Sequence, residues 1–276
     1  MCDGTLTPLF PTSIDKSGTN IIISIMTKDF LKIDKLQAKL RTLTPLSPAE
    51  INRLREEFVI ENTYNSNAIE GNSLTLRETA LVLEGVTIGE KPLKDHLEAV
   101  GHKEAFGLVF ELAKQGMDLD ERIIKQIHSL VMMSDRSIAG VYRSVPVRIT
   151  GAAHTPPEPY LVSKRMEQLM IDYEALKRGL HILEAIAEFH LRLEGIHLFL
   201  DGNGRTGRLL INLELIKVGL LPINIKFGDR RKYYDCFDDY YGGKQTADTL
   251  TRLIIDYQAE ELERYIGIIE SKDKAL

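Results

Sequence analysis

The sequence is poor in cysteine and has no long apolar run. Its 276 residues include two cysteines, Cys2 and Cys236, which are too few and too far apart for a disulfide framework or a zinc site. The longest apolar run near the N-terminus, residues 21–26, is too short to cross a bilayer and lacks the basic start of a signal peptide. We therefore expect a reducing, cytoplasmic setting and no membrane partner.

The sequence also lacks an excess of basic residues. Lysine and arginine number 35 against 40 acidic residues, and the formal net charge of −5 argues against a nucleic-acid partner. The segment after residue 260 is neither basic nor long enough for a DNA-binding extension. No repeat or internal linker is evident, and 43% hydrophobic residues can form the core of one large domain or of a domain with an appendage.

Helical periodicity is present along most of the chain. Apolar residues recur at helical spacing in segments 30–40, 48–70, 75–85, 94–116, 120–132, 160–176, 181–196, 207–219 and 247–269. Ser47 and Thr75 each lie three residues before a glutamate, which predicts a capping box at the start of a helix. Alternation in residues 144–150 predicts one strand, followed by a loop rich in glycine and proline. The predicted fold class is all-α with one short β-hairpin.

The segment HLFLDGNGRTGR, residues 197–208, contains more polar and glycine residues than a helix cap requires. Gly202 and Gly204 can adopt positive φ, so successive backbone N–H groups can turn inward and form an anion cradle at the start of a helix. Arg205 and Arg208 share a face of that helix and can bind phosphate oxygens. The alternative is a glycine-rich turn with surface arginines. Because the dipole disfavours cations at a helix start, the arginines favour the anion site.

Two other side chains of this segment can take part in chemistry. Asp201, at the mouth of a phosphate site, is a candidate magnesium ligand, since Mg²⁺ binds one or two carboxylates together with substrate phosphates. His197 precedes the cradle and can take a proton from a hydroxyl near neutral pH.

This segment resembles the signature motif of Fic proteins, HPFx(D/E)GNxRxxR, with Leu198 in place of the usual proline. The resemblance extends from about residue 50 to about residue 260. It implies a Fic-type helical bundle that transfers AMP from Mg·ATP to a hydroxyl of a target protein. It also implies that His197 is the general base, Asp201 holds Mg²⁺ and Arg208 binds the γ-phosphate. The residues implied to hold the α- and β-phosphates are Asn203, Gly204 and Arg205.

A second segment, SNAIEG at residues 66–71, contains a carboxylate at an unfavourable place. Glu70 precedes Gly71 at a predicted helix C-terminus, where the dipole disfavours negative charge. The Glu70 carboxylate would therefore favour a cationic partner, and the alternative is a solvated side chain beside a glycine cap. The segment resembles the inhibitory Fic motif (S/T)xxxE(G/N), with Ser66 as its first residue. The resemblance implies that Glu70 pairs with Arg208 and occupies the place of the γ-phosphate.

Residues 140–159 resemble the Fic flap, a hairpin beside the active site on which a target protein would dock by strand addition. By resemblance to the segment near the nucleotide base, Tyr234 is the candidate for contact with adenine, and Tyr233 is expected in the core. We expect His154 to pack within the flap, and His190 to lie in the core or behind the site.

The predicted function is a self-inhibited protein adenylyltransferase that uses ATP and Mg²⁺ to modify a Ser, Thr or Tyr of a target protein or of itself. Two alternatives stay open: a hydrolase that removes AMP, and a non-catalytic nucleotide-binding regulatory module. A homo-oligomer also stays open. The predicted regions are an N-terminal extension (1–45), a helical region with the inhibitory motif (46–92), a catalytic core (93–262) and a C-terminal tail (263–276).

Overall fold

The computed structural model describes residues 19–149, 151, 154–244 and 246–273. Cys2, residue 150 of the predicted strand, and parts of the predicted extension, flap and tail lie outside the described residues. The α-helices in these ranges are α1 (Thr19–Thr42), α2 (Pro48–Ile69), α3 (Leu76–Leu83), α4 (Leu93–Lys114), α5 (Glu121–Val131), α6 (Val162–Gly179), α7 (Ile182–Ile196), α8 (Asn203–Lys217), α9 (Arg230–Asp239) and α10 (Asp248–Asp273). None of these helices is apolar over a length that would cross a membrane.

The local signals in the sequence agree with these helices. Each predicted helical segment overlaps one of them, so the all-α fold class is confirmed. Both capping boxes are also confirmed. The Ser47 hydroxyl accepts a hydrogen bond from the Glu50 amide at 3.3 Å, and the Glu50 carboxylate accepts one from the Ser47 amide at 2.7 Å. Thr75 and Glu78 do the same at the start of α3.

Helices α7 and α8 lie at the centre of the molecule. Helix α8 contacts α4, α5 and α7, while α7 also contacts α6 and α10. Leu209, Leu210 and Leu213 of α8 pack into the hydrophobic core formed with α4, α5 and α6. Ile211 and Leu215 pack into a second core formed with α9 and α10. Because apolar contacts surround α8, the arginines in its first turns stand on a rigid support.

The predicted strand is not found, because residues 144–149 form no strand in the structure. Arg143 supplies the physical reason. Its guanidinium donates hydrogen bonds to the backbone carbonyls of Val145 (3.0 Å) and Pro157 (2.5 Å), so a side chain rather than a backbone ladder joins the two sides of this loop. It also donates to the carbonyl of His197 at 2.7 Å. The described part of the predicted flap is therefore a loop fastened to the end of α7.

Candidate active site

The turn between α7 and α8 passes through two residues in the left-handed region. His197 has φ 49° and ψ 61°, and it is the one non-glycine residue with positive φ in the described ranges. Gly202 has φ 78° and directly precedes α8. A Cβ at Gly202 would come within 2.7 Å of Met132 Sδ and 3.2 Å of His128 Nε2, so glycine is needed there. A left-handed histidine costs free energy, and the surrounding contacts must hold it in place.

Side-chain hydrogen bonds brace this turn. Asn203 donates through Nδ2 to the Phe199 carbonyl and accepts at Oδ1 from the Phe199 amide, both at 2.9 Å. His128 Nδ1 accepts from the Gly140 amide at 2.8 Å, so its Nε2 carries the proton and donates to the Asp201 carbonyl at 2.9 Å. Burial lowers the pKa of His128 to about 4, which keeps the ring neutral. Because Asn203 is the first residue of α8, its backbone N–H has no partner within the helix and is left for an anion.

Arg205 lies between two carboxylates. Its Nη2 is 3.2 Å from Asp201 Oδ1, and its Nη1 is 3.0 Å from Oε1 of Glu98 on α4. Glu98 also accepts a hydrogen bond from Asn72 Nδ2 at 2.9 Å. Glu98 therefore links Arg205 to the loop that follows the predicted inhibitory motif.

Arg208 is paired with the inhibitory segment. Its Nη2 donates to Glu70 Oε1 at 2.9 Å and to the Ser66 carbonyl at 2.8 Å, and its Nε donates to Ser66 Oγ at 3.1 Å. The guanidinium is 4% exposed and the Glu70 side chain 33%. Burial alone would lower the pKa of Arg208, but Glu70 and Tyr233 outweigh it and the pKa is raised. Gly71, at φ 93°, ends α2 directly after Glu70.

The space at the start of α8 contains unused hydrogen-bond donors. Arg208 Nη1 and Arg205 Nε are buried and have no hydrogen-bond partner within the described residues. Gly204 faces this space, because a Cβ there would overlap Glu70 Oε1 and come 3.0 Å from Arg208 Nη1. Buried donors without partners cost free energy, so an oxygen-rich anion that supplied acceptors would be favoured.

The predicted residues fall into two groups around a cavity of about 420 Å³. Those that line it are Glu70, His197, Gly204, Arg208 and Tyr234. Those that lie outside its lining are Ser66, Gly71, Asp201, Gly202, Asn203 and Arg205. The wall near Tyr234 also contains Phe237, Tyr241 and Arg230, so the cavity has Arg208 at one end and an aromatic end that carries a second cation.

His197 has the electrostatics of a base. Burial and the charge of Arg143 lower its pKa below the usual value, although the Glu194 backbone and the charges of Glu70 and Asp201 oppose them. The ring is therefore neutral at pH 7. Its Nδ1 is buried, which leaves Nε2 as the nitrogen that can reach a ligand. Leu198, where the Fic motif has proline, is buried, and its carbonyl accepts a hydrogen bond from the Arg143 amide at 3.0 Å.

Tyr233 and His154 also line the cavity, whereas His190 lies outside its lining. Tyr233 is buried, as predicted, and its hydroxyl lies 2.7 Å from Nε2 of the buried His190. His154 Nε2 lies 2.7 Å from the Gly195 carbonyl, and its ring stacks on Tyr241 at 4.1 Å.

Glu194 is a buried carboxyl in the cavity wall. Burial and the charge of Glu70 raise its pKa to about 8, while Arg208 opposes them. The folded state therefore retains a proton that the unfolded chain releases near pH 4.5. It follows that the stability provided by this protonated group is complete below pH 4.5 and is lost as the pH rises to about 8.

We therefore expect Glu194→Gln to gain thermal stability relative to the wild type as the pH rises. The difference in Tm should grow by about 5 °C between pH 5 and pH 8 and then level off. Differential scanning fluorimetry across this range checks it, with the exposed Glu167→Gln on α6 as the control. A constant difference in Tm would show that Glu194 is ionised at neutral pH.

Sequence reasoning missed four residues of this site. Arg143, His128, Glu98 and Glu194 are buried or line the cavity, and none belongs to a short motif. Helical spacing marks only which face of a helix a residue occupies. A buried polar residue on such a face gives no local signal of the partner it meets.

Comparison with known proteins adds independent information. The family model described as Fic/DOC family matches residues 118–215. A protein adenylyltransferase Fic from Nematostella vectensis is 35% identical over 212 residues, which are 74% of this chain and 48% of the relative. A protein of the same name from Drosophila willistoni is 31% identical over 76% of this chain and 43% of the relative. The chain thus spans about half the length of the curated relatives it matches.

Two solved structures share the fold. A Fic domain containing signaling protein from Bacteroides thetaiotaomicron has a TM-score of 0.79 and 29% identity, over 87% of this chain and 97% of that chain. Fic-1 from C. elegans has a TM-score of 0.78 and 27% identity, over 90% of this chain and 73% of that chain.

Proposed function

Since the chain belongs to the Fic/DOC family, we propose that it is a protein adenylyltransferase, which transfers AMP from Mg·ATP to a Ser, Thr or Tyr hydroxyl of a protein. The observation that carries this proposal is the pair of arginines at the start of α8. Arg208 lines a cavity that also contains a neutral histidine, and its buried Nη1, like the buried Nε of Arg205 behind it, has no hydrogen-bond partner within the described residues. Triphosphate oxygens would supply the missing acceptors.

The chemistry follows from the residues around the cavity. His197 Nε2 accepts the proton of the target hydroxyl while the hydroxyl oxygen forms a bond to the α-phosphorus. The bond from that phosphorus to the bridging oxygen breaks, and pyrophosphate leaves. Arg205, Arg208 and the first backbone amides of α8 hold the phosphates and stabilise the charge on the transferring group.

Asp201 is the proposed magnesium ligand. Its carboxylate is 47% exposed, with Oδ1 near Arg205 and Oδ2 4.0 Å from Lys94 Nζ. The described residues contain no group of three or more His, Cys, Asp or Glu side chains that could hold a metal. A single carboxylate suits Mg²⁺ when phosphate oxygens and water complete the coordination shell. The bound ion would neutralise phosphate charge.

Glu70 is the proposed inhibitory residue. Its carboxylate hydrogen-bonds Arg208 and brings negative charge to the place where the γ-phosphate would bind. ATP would then bind weakly or in a pose unsuited to in-line attack.

The loop at residues 140–159 is the proposed docking surface for the protein target. Arg143 fastens this loop to the residues that follow α7, because it donates hydrogen bonds to the carbonyls of His197 and Leu198. Val141 and Val145 of this loop are 58% and 48% exposed. Apolar side chains beside the catalytic histidine suit an extended segment of a target protein.

The proposal is tested by incubating the full chain with Mg²⁺ and α-labelled ATP. Label should appear on protein with Glu70→Gly and be absent with Glu70→Gly/His197→Ala or after chelation of Mg²⁺. The candidate substrates are the enzyme itself and the proteins of a cell extract. If Glu70→Gly binds ATP but labels nothing, the transferase proposal is wrong. Release of AMP from a labelled protein by the wild type alone would indicate the hydrolase instead.

A further inference from the structure

Glu194 is a buried carboxyl that the transfer mechanism leaves without a role. It lies on α7, one turn before His197, and it lines the same cavity as His197 and Arg208. Its Oε1 is buried and has no hydrogen-bond partner within the described residues. An unpartnered buried acid destabilises the folded protein unless a ligand supplies the missing bond.

Helix α8 is shaped to admit this carboxyl. A Cβ at Gly207 would overlap Glu194 Oε1 and come within 2.7 Å of Cε1 of His190. Gly207 lies inside α8 between the two arginines, where glycine costs about 1 kcal/mol relative to alanine. Gly207 leaves space for the Glu194 carboxyl, and binding of a ligand by that carboxyl would offset the cost of the glycine.

The position of Glu194 indicates which part of the ligand it meets. On one side its Oε1 contacts Gly207, and it lies one turn before His197, which acts at the α-phosphate in the proposed reaction. On the other side is Gly195, which packs against the hydroxyl of Tyr241 in the aromatic end. In a nucleoside triphosphate the ribose lies between the phosphates and the base. Given the proposed function, we infer that Glu194 hydrogen-bonds a ribose hydroxyl and makes the site selective for ribonucleotides.

The charge state of Glu194 suits this contact. The ionisable groups that face it are Glu70, His190, His197, Arg208, Tyr233 and Tyr241. Burial is the largest of the causes that raise its pKa to about 8, so the carboxyl is neutral at pH 7. A neutral carboxyl can both donate and accept a hydrogen bond, and it does not repel the neighbouring phosphates.

Binding of ATP, 2′-deoxy-ATP and 3′-deoxy-ATP tests this inference. Calorimetry with Mg²⁺ in the Glu70→Gly/His197→Ala background avoids both the inhibitory pair and turnover. This parent should bind ATP about 10-fold more tightly than at least one deoxy analogue. Adding Glu194→Leu should lower the affinity for ATP to that for the analogue, while the affinity for the analogue should stay unchanged. Adding Glu194→Gln should preserve the preference.

The controls separate this inference from the proposed function. Unchanged affinity for the deoxy analogue shows that Glu194→Leu is folded, and Glu167→Leu on α6 should change neither affinity. If the parent binds ATP without a preference, or if Glu194→Leu keeps the preference, this inference is wrong while the proposed function stands. A parent that binds none of the three nucleotides overturns both.

Discussion

Glu70→Gly should raise the rate of AMP transfer roughly 100-fold, because a hydrogen bond between charged groups contributes up to about 3 kcal/mol. The substitution frees the Arg208 Nη2 donor that the Glu70 carboxylate holds at 2.9 Å, and it removes a negative charge from the γ-phosphate position. Affinity for ATP should rise together with the rate. Label transferred from α-labelled ATP and the Kd for ATP measure the two effects.

The chain offers a matched control in Glu84. Glu84 ends α3 at φ −86° and ψ −1°, followed by Gly85 at φ 93°, while Glu70 has φ −89° and ψ 4° and is followed by Gly71 at φ 93°. Glu84→Gly therefore makes the same backbone change at the end of a helix away from the arginines. It should leave both measurements unchanged. Equal rates for Glu70→Gly and the wild type, in folded proteins, would remove Glu70 from the mechanism.

His197→Ala should abolish the transfer that Glu70→Gly releases. General-base catalysis contributes about 10²- to 10⁴-fold, so the double variant should lose at least about 100-fold in rate. Its affinity for ATP should stay within about twofold, since the phosphates are held by arginines and backbone amides. Single-turnover labelling and calorimetry separate the two effects.

The pH profile gives a further check on His197. Because burial lowers its pKa, the neutral ring should persist below the usual titration range of histidine, and the rate should fall only on the acid side of that range. His181→Ala, at the other end of α7, should keep both the rate and the profile. If His197→Ala retained transfer in the Glu70→Gly background, another group would have to take the proton.

The inhibitory pair shows where sequence reasoning stops. The C-terminal position of Glu70 left two interpretations open, a cationic partner and a solvated side chain, and spacing alone did not choose between them. Arg208 lies 138 positions away, and the contact forms because α2 crosses the start of α8. The resemblance to Fic proteins named this partner, and the structure brings the two side chains within hydrogen-bond distance.

The loop beyond Arg143 shows the opposite outcome. Residues 144–150 were predicted to form a strand because apolar and polar side chains alternate there, which is a local pattern. A buried guanidinium binds the carbonyls of Val145 and Pro157 instead, so a side chain rather than a backbone ladder holds this loop. Tertiary hydrogen bonds outweighed a local preference of a few tenths of a kcal/mol per residue.

The sequence by itself determined the helices, their capping boxes, and the glycine-rich turn that leads into α8. These features depend on residues within a few positions of one another, so local spacing is enough to specify them. Only the tertiary structure decided that Glu98 meets Arg205 and that Glu194 fits against Gly207. Such contacts arise from how the helices pack. Burial of a charged group costs desolvation free energy, which the neighbouring groups must offset.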